Sequence, residues 1–132
     1  MALIQWSGDW ETGNPVIDYD HQMLVTITNQ IFEIRRAPGI TNGKIKQALI
    51  QLVRYVDQHF AREEALFSQT DYPHVAKHVA MHRELEKVVG EIVDLFEREP
   101  DLLNLDEVIE FLRRWLVDHI LKHDMGYKKY LS

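Results

Sequence analysis

The chain has 132 residues, with 15 Lys and Arg against 21 Asp and Glu, a formal net charge of −6. That length fits one domain, and 45% hydrophobic with 27% charged residues is enough for a core and too apolar for a disordered segment. The acidic balance argues against nucleic acid as a partner, and the absence of cysteine excludes disulfides, thiolate nucleophiles, iron–sulfur clusters and Cys-bound zinc, so any metal must be held by nitrogen and oxygen.

No run approaches the roughly 18 consecutive apolar residues of a membrane span, and Met1 to Trp10 lacks a basic region followed by an apolar one, so no secretory signal is expected. The chain is expected to be cytoplasmic. In chain order, residues 1–17, interrupted by Gly8, Gly13, Asn14 and Pro15, read as an irregular arm. A first helix is predicted over about 18–37, capped by Asp18, with Leu24, Ile27, Ile31 and Ile34 at alternating steps of three and four. Pro38-Gly39 and Thr41-Asn42-Gly43 break it, and Thr41 or Asn42 caps a second helix over about 42–68, whose seam is Ile45, Leu49, Leu52 and Val56. After Thr70-Asp71-Tyr72-Pro73, with Pro73 as first helical residue, a third helix over about 73–98 carries Leu85, Val89, Ile92 and Phe96. Pro100-Asp101 ends it, and Asn104 with Glu107 resembles a capping box opening a fourth helix over about 104–125, with Val108, Leu112 and Trp115, before a short tail. Long amphipathic helices joined by short turns predict a single all-α domain over 1–132, an antiparallel up-down-up-down four-helix bundle.

Continuing each seam at the same rhythm brings in polar residues. His21 precedes Leu24, His59 and Glu63 follow Val56, His82 and His78 precede Leu85, and His119 follows Trp115. Burying such groups costs a few kcal/mol each unless they gain partners. In an antiparallel bundle the four helix ends concerned are the same end, so all six converge on one interior site. His59/Glu63 and His78/His82 are steps of four on one helix face, a chelating spacing. One seam histidine taken alone is more often a satisfied core residue, but six polar groups at one height point to a metal. Imidazole with carboxylate suits iron, zinc, copper or nickel, and five imidazoles exceed the four ligands of a structural zinc, so two ions fit better. His74 reads as a solvated residue at a helix start, and Arg62, Glu64, Arg83, Glu84, Glu86 and Lys87 read as an exposed face without chemistry.

These residues resemble a known family. Ile17-Asp18 before His21-Gln22, His59-Phe60-x-x-Glu63-Glu64, His78-x-x-x-His82 and His119-Ile120-x-x-His123-Asp124 are similar to the hemerythrin pattern, as are Trp10, Tyr72-Pro73, Tyr127 and Tyr130-Leu131. The resemblance covers nearly the whole chain and implies a non-haem di-iron centre. It implies that His78, His82 and His119 hold one iron and His21 and His59 the other. Glu63, Asp124 and an oxo or hydroxo group would bridge them. Spacing alone would nominate His123, four residues after His119. The resemblance selects Asp124, which requires the last turn of the fourth helix to distort or end.

Two octahedral irons make twelve bonds, and the implied ligands supply eleven, leaving one position on the iron held by His21 and His59. The resemblance implies that dioxygen binds there reversibly, in an apolar pocket of Leu24, Phe60, Trp115, Leu116 and Ile120. The expected role is oxygen carriage, storage or delivery by a monomer that is not an enzyme, with an unidentified oxygen-consuming protein as a conceivable recipient. The alternatives are a di-iron enzyme acting on peroxide or nitric oxide, and an oxygen sensor working through a separate partner. Carboxylate-rich di-iron oxidases use Glu-x-x-His motifs, and this chain has none.

Overall fold

The computed structural model describes residues 3–39, 41–119 and 125–130, with side chains omitted for 125–127. Four helices, α1 (Pro15–Arg36), α2 (Asn42–Phe67), α3 (Val75–Arg98) and α4 (Leu105–Asp118), form the all-α bundle expected, and no strand occurs among the described residues. α1 packs against α2 and α4, and α2 against α3, so the last helix returns to lie beside the first. Among the described residues no helix is long and apolar enough to cross a membrane.

The helix starts differ from expectation in two places. α1 begins at Pro15, three residues before the predicted start, because Asn14 rather than Asp18 is its cap: Asn14 Oδ1 accepts from the amides of Val16 (3.0 Å) and Ile17 (3.1 Å). Asp18 instead secures the arm, accepting from the Thr12 amide (2.7 Å), the Thr12 hydroxyl (2.8 Å) and the Gly13 amide (3.1 Å). Gly13 itself sits at φ 91°, a left-handed conformation that favours glycine. α3 begins at Val75 instead of Pro73; His74 precedes it and is exposed, as expected. Thr41 and Asn104 cap α2 and α4 through the amides of Lys44 and Glu107. α4 is described over Leu105–Asp118 with His119 following it, and Met125–Tyr130 form a 3₁₀ segment; the stretch in which the fourth helix was expected to end lies outside the described residues.

The core is a set of four-residue layers. Leu24, Val56, Leu85 and Leu116, one from each helix, form one layer, all buried. Four residues further from the polar end come Thr28, Leu52, Val89 and Leu112, again one from each helix and all buried. Beyond them Ile31, Leu49, Phe96, Val108 and Ile109 continue the same core. Leu3, Trp6 and Trp10 of the arm pack against it, with the two indoles edge to face at 5.6 Å.

A two-way hydrogen bond ties the arm to α1: the Ile4 amide donates to Asn29 Oδ1, and Asn29 Nδ2 donates to the Ile4 carbonyl, both at 2.8 Å. Ile4 is 4% exposed, so removing Asn29 leaves two backbone groups short of a partner where water enters with difficulty. Asn29→Ala is expected to cost about 1–3 kcal/mol in denaturant unfolding and to red-shift the Trp6 and Trp10 fluorescence. Unchanged stability and emission would show that the arm is held by its apolar contacts alone.

Candidate metal centre

All six polar seam residues lie where the periodicity puts them. His21 on α1, His59 and Glu63 on α2, His78 and His82 on α3, and His119 after α4 are buried together, and five of the six show no exposure at all. Their ligating atoms fall into two groups, each mutually within 4.8 Å: His21, His59, Glu63 and His119, and Glu63, His78, His82 and His119. Glu63 and His119 belong to both.

The carboxylate of Glu63 divides the site. Its Oε1 lies 2.8 Å from His78 Nε2 and 2.9 Å from His82 Nε2. Its Oε2 lies 3.1 Å from His59 Nε2 and 3.9 Å from His119 Nε2. His59 Nε2 and His119 Nε2 are themselves 3.3 Å apart. His119 therefore stands between the two groups.

The outer edges of two rings fix which nitrogen carries the proton. His59 Nδ1 is 3.1 Å from Asp20 Oδ2, and His82 Nδ1 is 2.9 Å from Glu64 Oε2. An ionised carboxylate only accepts, so each ring donates outward from Nδ1 and, when neutral, turns a lone pair inward from Nε2. Inward, both lone pairs face oxygens of Glu63. Acceptor against acceptor at about 3 Å is repulsive, and protonating the rings would instead gather several buried cations around one carboxylate. Cations placed among these atoms reverse the sign of every such contact. The donor set, imidazole nitrogen with one shared carboxylate, fits a borderline transition metal.

Two of the residues read as an inert exposed face reach the site directly, and that expectation is corrected for them and for Arg83, which pairs with Glu64. Glu64 is one of them: its side chain is 20% exposed, it holds His82, and Arg83 pairs with it from outside. The other is Arg62, whose Nε and Nη2 donate to Asp20 Oδ2 (2.8 Å) and Oδ1 (2.6 Å), while the Tyr55 hydroxyl donates to Oδ1 at 2.9 Å. Burial would push the Asp20 carboxyl up, but the bonds from His59, Arg62 and Tyr55 outweigh it and hold the group well below the usual carboxylate range. Burial and the Asp20 carboxylate together push the Tyr55 hydroxyl up. Tyr55, His59 and Arg62 are spaced i, i+4 and i+7, a helical stripe that the apolar pattern conceals.

Three of the residues expected in the apolar pocket meet at one void. Leu24, Trp115 and Leu116 line a narrow void with Thr28, Leu52, Val56, Leu85, Val89 and Leu112, the two layers described above. Leu24, Val56, Leu85 and Leu116 each stand three residues from a site histidine, so they form the floor of the polar layer. Phe60 is not among the lining residues; it stacks on His82 at 3.8 Å and 5°. Trp115 likewise stacks on His119 at 4.7 Å and 13°. Ile120, His123 and Asp124 lie outside the described residues.

Comparison with known proteins agrees with this geometry. Residues 12–131 match the family described as Hemerythrin HHE cation binding domain. The chain is 31% identical over 127 residues to the bacteriohemerythrin of Stenotrophomonas maltophilia, covering 96% of this chain and 80% of that one. It is 31% identical over 133 residues to that of Methylococcus capsulatus, covering 100% and 99%. A crystal structure of wild-type hemerythrin superimposes with a TM-score of 0.89 at 29% identity, covering 99% of each chain.

Because the folded-state pKa of Asp20 is depressed, its contribution to stability is complete above the ordinary carboxylate value of about 4 and is lost as pH falls through the lower folded value. The stability gap between metal-free wild type and Asp20→Asn should therefore be widest near about pH 7 and narrow on acidification below about pH 4. A gap unchanged from about pH 5 to about pH 2 would mean that Asp20 is not held ionised.

Proposed function

The chain belongs to the hemerythrin family, and from that premise we propose that it binds dioxygen reversibly at a pair of iron ions in the bundle interior. His78, His82 and His119 would hold one ion and His21 and His59 the other, with Glu63 and Asp124 bridging. The observation that carries this reading is Glu63, whose two oxygens each face their own set of imidazoles at 2.8 to 3.9 Å. One carboxylate shared between two ligand groups suits a bridge between two ions better than a terminal ligand of one.

An iron pair held by these residues would supply reversible electron donation to dioxygen. The chain's own residues decide whether the gas leaves unchanged. The histidine N–H groups of His59 and His82 point outward to Asp20 and Glu64, away from the centre. The floor is hydrocarbon from all four helices, and the one hydroxyl lining the void belongs to Thr28, a layer deeper than Leu24. Water and protons are thus kept from the face where a small apolar gas would sit, which favours storage and release over turnover.

Iron content and the visible spectrum test this together. The purified chain should hold two irons, and its charge-transfer band should appear and vanish reversibly as oxygen is admitted and withdrawn after anaerobic reduction. Irreversible bleaching with consumption of peroxide or nitric oxide would favour an enzyme instead. His119→Ala and Glu63→Ala should each lose iron and lower the melting temperature of the protein as isolated; unchanged values in both would refute the ligand assignment. Val56→Thr, nearly isosteric but bringing a hydroxyl to the floor, should shorten the lifetime of the oxygenated protein several-fold with iron content retained. An unaltered lifetime would show that dryness of the floor is not what protects it.

A further inference from the structure

The two ligand groups are backed by different outer carboxylates, and this difference has a use. Asp20 is 1% exposed, and the four bonds reaching its oxygens all come from donors: the Tyr55 hydroxyl, Arg62 Nε, Arg62 Nη2 and the outward N–H of His59. Only a carboxylate can accept all four. Arg62 is the outer part of this cluster, its side chain 38% exposed and its guanidinium over the Tyr55 ring at 5.7 Å. On the other side of the site His82 is backed by Glu64 and Arg83, with no residue common to the two sets. Each half of the centre thus has its own carboxylate–imidazole pair and its own arginine.

We propose that Asp20, clamped by Arg62 and Tyr55, is a positioning residue that fixes His59 as an Nε2 ligand and sets how tightly the His21–His59 half holds its metal, independently of the Glu64-backed His82 half. The proposal rests on the di-iron reading above. An asparagine at this position has one acceptor and one donor group. If its Nδ2 faces His59, donor meets donor and the ring is driven to the tautomer whose Nε2 carries a proton and cannot ligate. If its oxygen faces His59, Nδ2 meets the Arg62 guanidinium or the Tyr55 hydroxyl instead. Either orientation loosens the aim of His59, and the loss of the anion lowers the basicity of its imidazole.

The test uses the full iron-loaded chain as wild type, Asp20→Asn, Arg62→Gln and Glu64→Gln. Release of iron to a ferrous chelator without oxygen is followed in time, alongside the midpoint potentials of the two irons and the melting temperature of each metal-free protein. Asp20→Asn should accelerate one phase of release roughly 10–100-fold, leave the other unchanged, and raise one midpoint potential. Glu64→Gln should accelerate the other phase. Arg62→Gln, a half-exposed change that leaves the fold intact, should act on the same phase as Asp20→Asn and less strongly, which keeps the proposal testable if the Asp20 variant does not fold. Equal acceleration of both phases in step with lost metal-free stability would overturn it, as would wild-type rates and potentials in Arg62→Gln. A wild type that takes up no iron pair would sink the oxygen-binding reading, and imidazole nitrogen NMR with zinc as the probe would then decide this one: His59 protonated at Nδ1 in wild type but not in Asp20→Asn supports it, and the same tautomer in both overturns it.

Discussion

Lone pairs that face one another across the bundle interior govern this structure. His59 and His82 each commit their only neutral-state proton outward, to Asp20 and Glu64, so what they present to Glu63 is negative against negative at 3.1 and 2.9 Å. Removing one partner from a buried charged pair costs roughly 3–5 kcal/mol, and a domain of this size has a net stability of only about 5–15 kcal/mol. Several such conflicts in one layer would consume most of that margin. A cation among these atoms would turn each of these contacts favourable, which is how metal binding would stabilise this end of the bundle.

The rest of the bundle follows from making that layer possible. Each helix contributes to the polar layer and then, three residues on, an aliphatic side chain to the floor; four residues further each contributes again. Steps of three and four keep these residues on one helix face, so a single register aligns polar layer, floor and deeper core at once. The register is also what makes the floor uniformly apolar. A helix displaced by one position would turn its histidine out of the centre and rotate its floor residue out with it.

Much of this was legible in the sequence because it is periodic. The seams through Leu24, Val56 and Leu85, and the histidines that interrupt them, obey one rule, and turn order alone brings them to one end; in α4 the periodicity runs through Trp115, whereas it is the neighbouring Leu116 that is buried in the layer. What escaped was set by contacts between helices. Arg62 and Glu64 have the composition of a solvated face, and nothing in α2 alone says that Asp20 of α1 or His82 of α3 lies opposite. The start of α1 was misplaced for a similar reason: Asp18 is a good cap by type, but Asn14 precedes a proline that suits the first turn, leaving Asp18 to hold Thr12 and Gly13. The stacking of Phe60 on His82 likewise joins α2 to α3 and cannot be read from either helix alone.

The burden on α2 explains why its polar residues cannot be sorted by exposure. Within ten positions this helix sends Tyr55 and Arg62 toward Asp20 of α1, His59 and Glu63 into the interior, and Glu64 toward His82 of α3. At about 100° per residue these positions sweep through three separate directions, so one helix joins the Asp20 cluster, the Glu63 carboxylate that both ligand groups share, and the Glu64–His82 pair. A substitution that shifts α2 along its axis alters all three together. One confined to Arg62 or Glu64 alters a single side, because each acts through one carboxylate–imidazole pair that shares no atom with the other. Two imidazoles of one buried cluster are thus oriented by separate outer carboxylates, so the aim of each is set from its own side of the bundle.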